Sequence, residues 1–328
     1  MTHRPQTVLV TGGAGYIGSV LVRVLLRAGL RVRTIDNLSW GGEALLGVLG
    51  DPSFEFVFGD IRKQSAVDAA LRGVDSLVHL AAVVGDPACR RQPELAAAVN
   101  GEASELLLAR ARAAGVGRFV FASTCSNYGR APDGAVCDED APLRPISLYA
   151  ELKVAFERRL LALEAPGLTT VCLRFATAYG LSGRPRFDLT VNEFTRDLFL
   201  RKPLEIYGEQ FWRPYCHVAD LAAACCLALA APPEAIDRRA FNVGHTDENF
   251  RKADLVAMIL AHLPDRAGLV TFVRREEDPR DYRVNCDRIR DTLGFIPRRR
   301  VADGIREIVA ALTAGLITDP ENPRYRNV

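Results

Sequence analysis

The chain reads Thr11-Gly12-Gly13-Ala14-Gly15-Tyr16-Ile17-Gly18 between its first apolar run and its first helical pattern. In this stretch Gly12 permits a tight turn, Gly15 lets the backbone approach a pyrophosphate, and Gly18 lets a helix pack closely on a strand. The preceding residues are apolar and strand-like, and residues 16–28 have the period of a helix. A glycine-rich turn in this position predicts a dinucleotide phosphate site, with the positive helix end facing the phosphates.

Strand-like and helix-like segments alternate through the first half of the chain. Strands are predicted at 31–36, 54–58, 76–80, 118–123 and 169–174, and helices at 63–71, 94–113 and 147–165. Such alternation predicts βαβ units and therefore an α/β fold with a doubly wound, mostly parallel sheet of the Rossmann type.

The pattern becomes irregular and proline-rich after Tyr179. We therefore predict a dinucleotide-binding domain over 1–179 and a smaller C-terminal, mainly substrate-binding lobe over 180–328. A strand-like run at Ala240 to Val243 indicates that about 215–245 returns to the sheet.

Asp36 closes the second predicted strand and indicates the type of dinucleotide. A carboxylate there accepts hydrogen bonds from ribose hydroxyls and repels a 2′-phosphate, and the next residues, Asn37 and Leu38, bring no positive charge. The sequence therefore favours NAD over NADP. Asp60 and Ile61 follow the third strand. Both are expected to bracket an adenine, and the alternative role for Asp60 is to cap a helix. Further cofactor contacts are expected from Tyr16, Ile17, Leu80, Ala81 and Ala82.

Tyr149 and Lys153 are four residues apart in a predicted helix, so both side chains lie on one face. A free tyrosine has a pKa near ~10, and a neighbouring ammonium together with a positive nicotinamide favours its phenolate. Tyr149 is then a general base for a hydroxyl whose carbon gives up hydride, and Lys153 holds the nicotinamide ribose. The strand at 118–123 ends in Ser123-Thr124-Cys125-Ser126, where ligands bind to open α/β sheets, and Thr124 either contacts the reacting oxygen or forms a turn.

These motifs together resemble the extended short-chain dehydrogenase/reductase family, and within it the NAD-dependent nucleotide-sugar epimerase and dehydratase group. The resemblance rests on the glycine pattern, on Asp36, on Leu80-Ala81-Ala82, on Ser123-Thr124 and on Tyr149-x-x-x-Lys153. It extends over nearly the whole chain, with the stretches 173–180, 208–220 and 278–282 similar to segments that line the family's substrate cleft.

The resemblance implies a nucleotide-diphosphate sugar as substrate, with Arg213 and Arg280 on its diphosphate. A guanidinium suits that role because it binds phosphate in a bidentate manner. It also implies a homodimer formed through the helices at 94–113 and 147–165. Beside the cofactor it places Asn100, Ser123 and Ala176, and beside the substrate Thr124, Ser126, Thr177 and Asn192.

The residues after Thr124 bear on the reaction. Family dehydratases carry an acid pair there, and this chain has Cys125 and Ser126. The sequence therefore favours an epimerase that oxidises a sugar hydroxyl, at C4 in the leading interpretation, and returns the hydride. One alternative is a 3- or 5-epimerase or an atypical dehydratase that uses Cys125 as acid or base; another gives Cys125 a packing role. A 4-ketoreductase and a non-catalytic dinucleotide sensor also stay open.

Composition bounds the remaining possibilities. The net charge of +2 and the charged fraction of 25% give no reason to expect nucleic acid or a membrane as partner. The eight cysteines lack the spacing of a zinc site, so we expect no metal, and they read as free thiols of a reducing cytoplasm. The segment before the first predicted strand is short and polar, and it lacks the pattern of a signal peptide.

Overall fold

A computed structural model describes residues 6–132, 134–273 and 280–327. Its strands are β1 (Thr7–Thr11), β2 (Arg31–Asp36), β3 (Phe54–Phe58), β4 (Ser76–His79), β5 (Arg118–Thr124), β6 (Val136–Cys137), β7 (Thr169–Phe175), β8 (Thr177–Tyr179), β9 (Leu204–Tyr207), β10 (Trp212–His217), β11 (Arg239–Val243), β12 (Asn249–Arg251), β13 (Val270–Val273) and β14 (Arg283–Val284). Its α-helices are α1 (Gly18–Arg27), α2 (Gln64–Leu71), α3 (Asp86–Arg91), α4 (Pro93–Ala96), α5 (Ala103–Ala113), α6 (Leu148–Leu161), α7 (Thr190–Phe199), α8 (Val218–Ala230), α9 (Pro233–Ile236), α10 (Lys252–His262), α11 (Asp287–Leu293) and α12 (Val301–Thr313).

Seven parallel strands form the main sheet in the order β11-β7-β5-β4-β1-β2-β3. The order reverses at β1, where the first two crossovers lead one way and β4 follows on the other side. This is a doubly wound sheet, so the prediction of the fold class is confirmed. In such a sheet the crevice at the carboxyl ends of the strands, beside the reversal, is the place where ligands bind.

The core lies on both faces of this sheet. Successive residues of β1 point to opposite faces, so Val8 and Val10 pack in one apolar cluster and Leu9 packs in the other. Both faces are covered by helices, which explains why the central strands read as nearly continuous apolar runs.

The second half of the chain builds a lobe with a core of its own from α7, α10 and α12. Three small sheets accompany it: β12-β10-β8, β13-β9 and β14-β6. The lobe is not separate in sequence, because β11 pairs with β7 at the edge of the main sheet. Within the described ranges, no helix is long and apolar enough to cross a membrane.

The long helix predicted over 94–113 is helical throughout but not α-helical throughout. Its segments α4 and α5 are joined by a π-helical turn at Ala97–Glu102. The wider turn carries Asn100, whose buried amide accepts from Val83 N at 2.8 Å and donates to Val83 O at 2.9 Å. Asn100 therefore clamps the loop that follows β4, and single π turns of this kind are frequent at functional sites.

Candidate active site

The glycine turn after β1 leaves no room for side chains. Gly12 has a φ of 74°, and a Cβ there would lie 2.9 Å from the backbone of Ala81. A Cβ on Gly18 would lie 2.1 Å from the carbonyl oxygen of Gly12, so α1 starts directly against the turn. The site thus has a cradle for a pyrophosphate at the positive end of a helix, which fits a dinucleotide.

Asp36 lies at the end of β2 and orders this cradle. Its two carboxylate oxygens accept from Ala14 N at 3.0 Å and from Leu38 N at 2.8 Å. A carboxylate has about four lone-pair sites, so acceptor positions remain for ribose hydroxyls. Burial is the main reason that the pKa of Asp36 is raised from its usual range.

Arg184 joins this corner of the cleft from a distant part of the sequence. Its guanidinium carbon lies 4.5 Å from the ring centroid of Trp40, and its charge acts on Asp36 to lower the pKa of that carboxyl. Burial lowers the pKa of Arg184 itself to about 10. Asn37 and Leu38 bring no positive charge to Asp36, but Arg184 of the other lobe supplies one that acts on its carboxylate.

The remaining expected cofactor residues surround the same crevice in different ways. Thr11 Oγ1 accepts from the amides of Leu80 and Ala81, each at 3.2 Å, which fixes the strand end where the cofactor is expected. The carboxylate of Asp60 is held by Arg62 at 2.6 Å, in the turn before α2. Buried in the surrounding structure are Tyr16, Ile61, Asn100, Ser123 and Ala176, whereas Ile17, Leu80, Ala81 and Ala82 are half-buried and Asn37 is exposed.

Tyr149 and Lys153 stand one turn apart on α6. Ser147 caps this helix by accepting from Ala150 N at 3.3 Å, which places Tyr149 in the first turn. Lys153 is buried, its Nζ donates to Ala122 O at 2.9 Å, and it lies 6.0 Å from the ring centroid of Tyr149. The pair is therefore aimed at the carboxyl end of β5.

In the ligand-free protein, the surroundings of the pair favour the neutral phenol of Tyr149 over its phenolate. Burial lowers the pKa of Lys153 to about 8, so its positive charge is costly to keep. Burial also raises the pKa of Tyr149, and the nearby Cys89 and Asp86 raise it further. A further positive charge is needed before Tyr149 loses its proton, and an oxidised nicotinamide carries one.

Beneath the pair lies a buried polar network. Glu157, one turn beyond Lys153, accepts from Ser123 Oγ at 2.5 Å and from the Arg174 guanidinium at 2.6 Å. Arg174 also donates to Tyr128 Oη at 2.8 Å, and Asn127 joins the network through Glu157 at 3.3 Å. The side chain of Ser123 thus ties β5 to α6.

Thr124 and Cys125 differ sharply in access. Thr124 Oγ1 accepts from Ser126 N at 3.1 Å, which starts the helical turn Cys125–Tyr128 at the strand end. The thiol of Cys125 is 0% exposed, donates to Arg174 O at 3.1 Å, and has a pKa raised well above its ordinary value by burial. This burial favours the packing interpretation of Cys125 over the alternative in which the thiol acts as an acid or base on the substrate.

The opposite wall of the cleft comes from the second lobe. Ser126 Oγ lies 3.4 Å from Tyr282 Oη, and the Arg213 guanidinium lies 5.4 Å from the Tyr282 ring centroid. Arg213 Nη1 in turn donates to Arg280 O at 2.5 Å. The two expected arginines are therefore neighbours on one wall, while Asp278 and Pro279 of the same motif lie outside the described residues.

Asn192 has another role than the expected contact with substrate. It is 0% exposed, accepts from Gly180 N at 2.9 Å, and donates to the carbonyls of Gly180 and Arg186. Tyr16 Oη donates to the same Gly180 carbonyl at 2.6 Å. Asn192 and Tyr16 thus fix the loop between the lobes, whereas Thr177 is half-buried at the start of β8. No cluster of metal-ligating side chains occurs among the residues that the structure describes.

Comparisons with known proteins by family, by sequence and by structure all find NAD-dependent epimerases and dehydratases. The family described as "NAD dependent epimerase/dehydratase family" matches residues 8–244. A dTDP-glucose 4,6-dehydratase from Streptomyces niveus is 32% identical over 92% of this chain and 91% of its own length. A UDP-glucose 4-epimerase from Azospirillum brasilense is 32% identical over 93% of this chain and 91% of its own. The structure of a dTDP-glucose 4,6-dehydratase from Streptomyces venezuelae, solved with NAD bound, superposes with a TM-score of 0.85 at 29% identity, covering 94% of this chain and 98% of that chain.

Proposed function

The chain belongs to the NAD-dependent epimerase/dehydratase family, and from that premise we propose that it is a nucleotide-sugar 4-epimerase. The family and its relatives make it an NAD-dependent enzyme of nucleotide-sugar chemistry. The proposal concerns the reaction within that chemistry, since both dehydratases and epimerases occur among its relatives.

The observation that carries the proposal is the strand end after Thr124. A 4,6-dehydration needs one group to protonate the leaving hydroxyl and another to remove a proton beside the carbonyl. Here the two following residues are Cys125, sealed against Arg174 O, and Ser126, a neutral hydroxyl beside Tyr282. A 4-epimerisation needs neither group, because the only proton that moves is that of the reacting hydroxyl.

In this reaction Tyr149 takes the proton of the C4 hydroxyl, and Thr124 hydrogen-bonds the same oxygen. When bound, NAD would accept the hydride from C4 and later return it to the same carbon. Lys153 keeps a positive charge next to the phenol, which favours proton removal, and its hydrogen bond to Ala122 holds it at the strand end. After the keto sugar has rotated and presented its other face to the hydride, the same Tyr149 returns the proton to the new alkoxide.

The wall formed by Arg213, Arg280 and Tyr282 supports the expected diphosphate contact, since two guanidinium groups match the charge and planarity of phosphates. The relatives act on UDP-glucose and dTDP-glucose, so both nucleotides are candidates. We also infer a homodimer through α5 and α6, which light scattering tests directly. The cytoplasmic location stays a prediction.

The test is NMR of the purified enzyme with UDP-glucose and dTDP-glucose in deuterated water, without added cofactor. The proposal predicts the C4 epimer with no deuterium at any carbon, because hydride returns from bound NAD. The variant Tyr149→Phe should keep NAD and lose turnover by about 10²–10⁴-fold. Deuterium at a carbon beside C4 would instead identify a 3- or 5-epimerase or a dehydratase, and a 6-deoxy-4-keto product would identify the dehydratase.

A further inference from the structure

An ion pair joins the two lobes across the mouth of the cleft beside the catalytic helix. Arg280 Nη1 of the second lobe lies 2.9 Å from Asp86 Oδ2, at the start of α3. The Asp86 side chain is 13% exposed, so its carboxylate is largely withdrawn from water. Neither dehydratase nor epimerase chemistry as described above uses Asp86.

Asp86 also contacts the helix that carries the catalytic tyrosine. Its Oδ1 accepts from Ser147 Oγ at 2.7 Å, and Ser147 is the residue that caps α6. The charge of Asp86 is felt by Tyr149, whose pKa it helps to raise. A carboxylate therefore stands close to the group that handles the sugar hydroxyl.

Arg280 belongs to the wall that is proposed to receive the diphosphate. Its carbonyl accepts from Arg213, which packs on Tyr282. A diphosphate that reaches this wall competes with Asp86 for the Arg280 guanidinium, and its two negative charges exceed the single charge of the carboxylate. When Arg280 turns to the phosphate, Asp86 is left with Ser147 and with a buried charge that requires another hydrogen-bond donor.

We propose that the Asp86–Arg280 pair is a latch opened by the substrate, and that the released Asp86 selects sugars with a hydroxyl next to the one that Tyr149 deprotonates. That vicinal hydroxyl is the donor which the freed carboxylate needs. The latch closes the empty cleft and couples diphosphate binding to sugar recognition. This inference rests on the proposed function, because it takes a nucleotide-diphosphate sugar as the substrate.

The latch predicts opposite effects of one substitution on two ligands. In Asp86→Asn the amide keeps the Ser147 contact and loses the charge that competes for Arg280. UDP and dTDP alone, measured by isothermal titration calorimetry, should then bind about tenfold more tightly than to the wild type. Turnover of the intact sugar nucleotide should fall by about tenfold or more in kcat/KM, since the carboxylate that accepts the vicinal hydroxyl is gone.

Two further variants keep the test decisive. Asp86→Glu retains the carboxylate and should bind UDP and dTDP like the wild type. Asp140→Asn removes a largely exposed carboxylate that pairs with Arg288, and should change neither quantity. A merely structural role of Asp86 would weaken both ligands together.

The outcomes separate the two proposals. Wild-type enzyme that binds neither UDP nor dTDP, and turns over neither sugar nucleotide, would overturn the proposed substrate class. Wild-type enzyme that binds them, with an Asp86→Asn variant that binds them no more tightly, would overturn the latch and leave the epimerase proposal standing. If the Asp86→Asn variant does not fold, Asp86→Glu decides the question. An affinity of Asp86→Glu for UDP or dTDP that differs from that of the wild type counts against the latch.

Discussion

Replacing Lys153 by methionine should make the cofactor-free protein more stable at neutral pH while it removes activity. Lys153 is buried among Phe121, Tyr149 and Ala122, and burial lowers its pKa from 10.5 to about 8. At pH 7 the group is still protonated, so the folded protein carries a buried ammonium. Methionine has a similar unbranched shape and no charge to bury.

The size of the effect follows from the pKa. A change from 10.5 to about 8 corresponds to about 3 kcal/mol of folding free energy at pH 7. Methionine also gives up the hydrogen bond to Ala122 and the position of the ammonium 4.6 Å from the Phe121 ring centroid, which together contribute about 1–2 kcal/mol. The expected net gain for Lys153→Met is therefore about 1–2 kcal/mol at pH 7.

The pH dependence gives the sharper test. Between pH 8 and 10.5 the unfolded chain binds more protons at Lys153 than the folded one, so this residue makes wild-type stability rise with pH. The advantage of Lys153→Met should accordingly shrink across that window and vanish or reverse near pH 10.5. Urea unfolding of both proteins at pH 7, 8.5 and 10 measures the difference, and other titrating groups cancel in it.

Lys153→Arg is the matched control, because arginine keeps its charge at every pH used. It should be less stable than the wild type throughout. The reasoning is refuted if Lys153→Met is the less stable protein at pH 7, or if its stability relative to the wild type does not change between pH 7 and 10.

Three further substitutions test other parts of the site. Asp36→Ser should lower the NADP-to-NAD ratio of dissociation constants by about tenfold, measured by calorimetry, because Arg184 then faces the 2′-phosphate without a competing carboxylate; an additional Arg184→Ala change should remove the gain. Glu157→Gln should cost about 3 kcal/mol in urea unfolding, since it leaves the Arg174 charge buried and unpaired. Cys125→Ala should cost about 1 kcal/mol and keep turnover within about threefold, as expected of a packing residue.

Each of these has its own control. Asp36→Asn with Arg184 intact distinguishes the loss of charge from the loss of the contacts to Ala14 and Leu38. Asp140→Asn, which removes an exposed pair, should cost less than about 1 kcal/mol, and an equal cost for Glu157→Gln would contradict the argument from burial. A hundredfold loss of turnover in a stable Cys125→Ala protein would restore the thiol as an acid or base.

The parts of the candidate site that sequence patterns locate consist of residues close together in the chain. The glycine turn, Asp36 and the Tyr149–Lys153 spacing each lie within one βα unit or one helix turn, so periodicity and spacing alone locate them. The parallel order of the central strands follows from the same alternation. Even there the π turn at Ala97–Glu102 was missed, because an apolar helical pattern does not distinguish a π turn from the α-helix around it.

Residues that meet across the lobes carried no such signal. The charge of Arg184 acts on Asp36 over a separation of almost 150 residues, and Asp86 pairs with Arg280 from still farther apart in the chain. In the sequence Glu157 cannot be distinguished from other polar residues of its helix. Its contacts with Ser123 and Arg174 form only in the folded structure. Such contacts are set by the way the second lobe docks, which single-sequence patterns do not encode.

The return of β11 to the main sheet restricts how this enzyme can be recombined with its relatives. A chimera joined after Tyr179 would import a foreign β11 into contact with β7, and with it the residue that replaces Asn242. The Asn242 side-chain oxygen accepts from Tyr128 Oη at 2.7 Å, and its backbone N–H donates to the Glu139 carboxylate at 2.7 Å, so Asn242 is part of the layer directly below the reaction site. Exchanges of sugar specificity should therefore carry over 181–211 and 245–327 while leaving 212–244 with the parent that supplies the first half of the chain.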